Sequence, residues 1–115
     1  MLDIDALIKK LNDFREARDW KQFHNPKDMA LYLSLEAAEV LEHFAWKNID
    51  EVKAYVADHK DEIGEELADV LYWVLLLSHD MGLDVFDALE KKMKKNEAKY
   101  PVEKAKGSHK KYTEL

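Results

Sequence analysis

The stretches "EAAEVLEHFAW" at Glu36–Trp46 and "EELADVLYWVLLL" at Glu65–Leu77 decide how this chain folds. Both are rich in Ala, Leu, Val and aromatic residues, neither contains Gly or Pro, and their apolar residues recur at i, i+3 and i+4 rather than in alternation. That is the period of helices buried over most of their circumference. Each stretch also places two acids three apart inside its apolar run, Glu36 with Glu39 and Glu66 with Asp69. At about 100° per residue, Tyr32, Glu36, Glu39, His43 and Trp46 fall within an arc of roughly 80°, and Glu62, Glu66, Asp69 and Trp73 share a similar stripe on the second helix.

Outward from these two segments the periodicity stays helical, and only three glycines and two prolines interrupt it. A first helix is expected from about Ile4 to Ala17, capped by Asp3 or Asp5. The segment "DWKQFHNP" at Asp19–Pro26 reads as an ordered loop carrying two aromatics. A second helix follows from Pro26 to about Trp46. A short connecting helix covers Ile49 to Ala57 behind Asn48 or Asp50, and a third long helix runs from about Asp61 to Met81, where Gly82 supplies a left-handed C-terminal residue. A fourth helix begins at Asp84 and runs to about Lys99 before Pro101 stops it. The expectation is an all-α, four-helix bundle-like single domain over residues 1–115, with residues 100–115 as an extended polar tail.

A chain of 115 residues, 47% of them hydrophobic, is long enough for one apolar core without a metal or disulfide staple. The absence of cysteine removes thiolate metal sites and cysteine nucleophiles, and fits a reducing, cytoplasmic setting. The N-terminal "MLDIDALIKK" lacks the pattern of a signal peptide, and no apolar run approaches the ~20 residues that span a bilayer, so no membrane association is expected. The net charge of −6 argues against a general binder of nucleic-acid polymer. Nine lysines between Lys91 and Lys111 nevertheless leave two uses open, a solvated face or contact with the phosphates of a ligand.

The acidic stripes carry the chemistry. Surface acids on helices commonly pair with lysines four residues on, but the positions four after Glu36, Glu39, Glu66 and Asp69 are Val40, His43, Val70 and Trp73. Converging carboxylates in an apolar setting repel one another and call for a cation. Oxygen ligands without thiolates suit Mg²⁺, with Mn²⁺ as a substitute, and Mg²⁺ is usually shared with substrate phosphates. A di-iron bundle would need Glu-x-x-His, and the residues three before the five histidines are Lys21, Val40, Val56, Leu76 and Lys106. Trp46 and Trp73, on the acidic stripes, are candidates to stack a base, and Trp20, Phe23 and His24 form a third cluster, in the loop before the second helix, open to packing or ligand contact. Two other classes compete: a non-catalytic helical interaction module, and a nucleic-acid binder built on the lysine-rich tail.

The blocks "FREARDWKQFHNP", "EAAEVLEHFAW", "EELADVLYWVLLL", "KMKKNEAKYPVEKAKG" and "KYTEL" together span nearly the whole chain, and the combination resembles the MazG-like all-α nucleoside triphosphate pyrophosphohydrolases, in particular their dCTP pyrophosphatase branch. The resemblance implies hydrolysis of a (deoxy)nucleoside triphosphate, dCTP or a related dNTP, to monophosphate and pyrophosphate, as in the cleaning of nucleotide pools. It implies Mg²⁺ held by Glu36, Glu39, Glu66 and Asp69, a catalytic role for Glu36 or Glu39 toward water, Trp46 and Trp20 at the base, and Lys92 and Asn96 on phosphate or sugar. It further implies homotetramers built from tight dimers, with sites formed between subunits. Two positions depart from the branch: Leu11 replaces a histidine and Trp73 a tyrosine, which bears on base preference.

Overall fold

The computed structural model describes residues 2–115, and Met1 lies outside them. Six α-helices form: α1 (Ile4–Ala17), α2 (Pro26–Glu42), α3 (Ile49–Asp58), α4 (Lys60–Asp80), α5 (Val85–Lys99) and α6 (Val102–Ala105), with short 3₁₀ turns at Lys21–Phe23 and Tyr112–Glu114. No strand occurs among the described residues, as the periodicity predicts. The chain divides into two compact units, Met1–Gly82 and Leu83–Leu115.

In the first unit the caps expected of Asp3 and Asn48 are in place, and Asn25 supplies a further one. The Asp3 carboxylate accepts from the Ala6 amide at 3.0 Å, and Asn25 accepts from Asp28 ahead of Pro26 at the first turn of α2. Asn48 and Glu51 close a reciprocal capping box on α3. Gly82 takes φ 70° after α4, the left-handed residue that ends the helix. The principal packing is α2 against α4, with α1 and α3 each lying on α4.

The fully enclosed apolar core is small: Met29 of α2 with Leu75 and Leu76 of α4. Burying each contributes about 1.5–3 kcal/mol. Ser78 joins them by donating its hydroxyl to the Val74 carbonyl at 2.6 Å. The expectation that α2 is covered nearly all round does not hold within the single chain, where Leu31 is 56% and Leu35 54% exposed, as are Leu67 (53%) and Leu71 (50%) on α4.

The second helix is shorter than its periodicity predicts. It ends at Glu42, and residues 43–46 form a turn in which Trp46 takes φ 66°. His43, still helical in its backbone, follows the last residue of α2 and has its Nδ1 2.6 Å from the Tyr55 hydroxyl of α3.

In the second unit, the Asp84 carboxylate accepts from both Phe86 and Asp87 amides to start α5. The segment after Lys99 is more ordered than an extended tail. Pro101 ends one helix and opens the single turn of α6. Tyr112 then meets Tyr100 edge-on at 6.1 Å, with Lys99 Nζ 4.8 Å from its ring centroid.

Candidate active site

The four acids converge. One carboxylate oxygen from each of Glu36, Glu39, Glu66 and Asp69 lies within 4.8 Å of the others, a spacing set by two E-x-x-E/D turns on the packed helices α2 and α4. One oxygen of Glu36 (Oε2) and one of Glu66 (Oε2) is shut off from solvent without a hydrogen-bond partner. Partial burial, and then the neighbouring Glu39, Asp69 and Glu66, push the Glu36 carboxyl up to about 7. Glu66 is raised too, first by its contact with Glu39. A cluster that resists its own ionisation, with two enclosed oxygens aimed at nothing, has the donor set of a hard divalent cation site.

Beside the acids lies a cavity of about 820 Å³, within the range that takes a drug-sized or nucleotide-sized ligand. Glu36 and Asp69 form part of its wall, and the rest is mostly apolar and aromatic. Ring contacts run around it in sequence. Trp20 meets Phe14 at 5.7 Å, Phe14 meets Tyr72 at 6.4 Å, Tyr72 meets Trp73 at 5.0 Å, and Trp73 lies stacked on Tyr32 at 5.0 Å. His24 closes on the edge of Trp73 at 5.1 Å. Trp20, His24 and Trp73 all line this one cavity.

Trp46 does not. Leaving the helix at Glu42 takes it off the acidic stripe, it does not line this cavity, and it is 102% exposed. Lys92 and Asn96 stand one turn apart on α5 in the second unit, Lys92 exposed and Asn96 partly buried. His43 has its Nδ1 2.6 Å from the Tyr55 hydroxyl. The projection missed Leu7, Lys10, Phe14 and Tyr72 as cavity residues, and it missed a buried ion pair; Phe23 of the aromatic loop lines the cavity as well. Arg15, wholly enclosed, holds Asp80 through two bonds of 2.7 and 2.8 Å and also donates to Asn12 at 2.6 Å. The signal was present: Arg15 continues the Ile4–Ile8–Leu11 face of α1, where an apolar residue is expected.

The MazG-like family matches residues 31–115, which include all four acids. The chain belongs to the MazG-like family. Among its relatives, dCTP pyrophosphatase 1 of Mus musculus is 37% identical over 111 residues, 94% of this chain and 65% of that protein. The Homo sapiens protein of the same name is 36% identical over the same shares. This MazG-like chain thus spans 65% of the length of those two relatives. A crystal structure of a pyrophosphatase from Archaeoglobus fulgidus superposes with a TM-score of 0.83 at 38% identity, covering 88% of this chain and 94% of that one. The all-helical fold agrees with that kinship, and the stretch matched by the family includes the four acids.

Proposed function

We propose that this MazG-like protein is a nucleoside triphosphate pyrophosphohydrolase acting on dCTP or related dNTPs, releasing the monophosphate and pyrophosphate. The observation that carries the reading is the continuity of an aromatic cavity with a four-carboxylate cluster, which offers one end to a base and the other to a metal-bound polyphosphate. The names of the mouse, human and Archaeoglobus relatives support the reaction type.

The residues present fit Mg²⁺, or Mn²⁺ in its place: Glu36, Glu39, Glu66 and Asp69 would hold it, and the two enclosed, unpartnered oxygens are the atoms most in need of it. Bound there, the ion would screen the phosphate oxygens against an incoming nucleophile. Glu36 and Glu39 are the pair proposed to orient a water and accept its proton, through whichever carboxylate oxygen the ion leaves free. Trp20, His24 and Trp73 hold the base within the cavity. Lys92 and Asn96, four apart on one face of α5, are assigned to phosphate and sugar, and both units are proposed to serve as one functional domain.

Trp46 is assigned to the base pocket of a second copy, which makes the protein a homo-oligomer, a tetramer by resemblance to the family. Its full exposure, its left-handed backbone and the exposed leucines of α2 and α4 support that reading. A cytoplasmic location accords with the cysteine-free composition; among the described residues no helix is long and apolar enough to cross a membrane. The test is to incubate the purified protein with each dNTP and NTP plus Mg²⁺ and identify the products. Monophosphate with pyrophosphate is expected, whereas diphosphate with phosphate, or no turnover, would overturn the proposal.

A further inference from the structure

The ion pair of Arg15 and Asp80 bonds across the ends of two helices, and its second neighbour is the cavity itself. Arg15 Nη1, which donates to Asp80 at 2.7 Å, also lies 3.5 Å from Nδ1 of His24. A guanidinium carries only donors. The imidazole nitrogen facing it can therefore only accept, which places the ring's single proton on Nε2. Burial first, and then the charge of Arg15, lower the His24 value further, against a smaller opposing effect of Asp80. The ring is kept neutral in one tautomer, and its orientation is set by the edge-on contact with Trp73 on the cavity side.

From this geometry we infer that Arg15 and Asp80 are positioning residues, which fix His24 as an Nε2–H hydrogen-bond donor to an acceptor atom of the base held in the cavity. This deepens the proposed function and rests on it for the identity of the ligand as a nucleotide. A donor locked in this way favours a base edge presenting a carbonyl oxygen or unprotonated ring nitrogen, and disfavours one presenting an amino group at the same place. Nothing in it touches the reacting phosphate. The pair is thus expected to govern affinity and discrimination between bases, leaving the hydrolytic step to the carboxylates.

The tautomer is read directly, without substrate, from long-range ¹H–¹⁵N correlations of the histidine rings in the wild-type protein near neutral pH. His24 is expected in the Nε2–H pattern; an Nδ1–H or doubly protonated ring overturns the inference. Kinetics supply the second arm. His24→Gln, whose amide nitrogen reaches the Nε2 position, is expected to keep KM for the preferred dNTP within about threefold. His24→Asn, which reaches only the Nδ1 position, is expected to raise KM about tenfold with kcat little changed, the loss of one hydrogen bond. Arg15→Lys keeps the charge but not the fork, and is expected to mix the tautomers and raise KM in the same sense. A fall in kcat with KM unmoved would mark Arg15 as merely structural and overturn the inference. If the wild-type protein turns over no nucleoside triphosphate, the proposed function fails and the base contact with it, while the ring spectrum still reports separately whether Arg15 sets the tautomer.

Discussion

Replacing Glu36 by Gln should make the metal-free protein more stable while removing its response to metal. Ligand oxygens of the four acids lie within 4.8 Å of one another. Two like charges at that separation repel by about 1 kcal/mol in water and about 3 kcal/mol at an effective dielectric near 20. Glu36 is only partly buried, so solvent screening pulls its total back to about 1–2 kcal/mol. For a chain of this size that is a rise in Tm of about 5 °C. The pH dependence has a definite sign. A carboxyl raised to about 7 on folding favours the fold below its unfolded value near 4.5, and that advantage is lost as pH rises through about 7. The gain from Glu36→Gln should accordingly be absent below about pH 4.5, grow as pH rises from there, and be largest above about 7. The assay is thermal unfolding by circular dichroism, in a chelator and in excess Mg²⁺, at fixed protein concentration. Mg²⁺ should raise the wild-type Tm by mass action and move the variant less, so that the order of the two reverses. A variant melting below wild type in the chelator at every pH, or a wild type indifferent to Mg²⁺, would refute the claim that charge crowding among the four carboxylates, relieved by a cation, shapes this cluster.

Other substitutions probe separate features. Trp46→Gly relieves a left-handed backbone at φ 66° and removes a side chain with no cover, so the isolated fold should gain about 1 kcal/mol in denaturant titration while KM for dNTP rises. Asp80→Asn leaves enclosed Arg15 without its charge partner and should cost about 3 kcal/mol by the same titration. Because Arg15 holds the Asp80 carboxyl below its ordinary value, the pair's contribution is complete above that value and fades as pH falls; the variant should lack that acid limb of the stability profile. Asn48→Ala opens the capping box of α3 and should cost about 1 kcal/mol without changing the nucleotide products.

What the sequence disclosed, it disclosed through local rules. Caps at Asp3, Asn48 and Asp84 and the glycine after α4 depend on neighbours within a turn, so spacing alone finds them. The acid cluster was legible for the same reason, because two helices with matching i, i+3 acids need only pack to bring them together. Trp46 was misplaced because helical projection assumes that the helix continues, whereas α2 ends at Glu42 and Trp46 takes φ 66°. Arg15 and Asp80 are 65 apart, a pairing that no periodicity encodes, although a charged residue on an apolar face should have prompted the search. The tail went unrecognised as structure because its order comes from Tyr112 against Tyr100, a contact between aromatics in an otherwise polar stretch.

The bare indole of Trp46 has a consequence at the level of the population of chains. If, as proposed, the carboxylates come from one copy and the indole from its neighbour, damage to either half of the site is complemented by a copy damaged in the other. Chains carrying Glu36→Gln and chains carrying Trp46→Ala, each impaired alone, should regain activity when unfolded and refolded together, approaching one intact site in about four under random pairing. Two broken alleles would then outperform a double dose of either one.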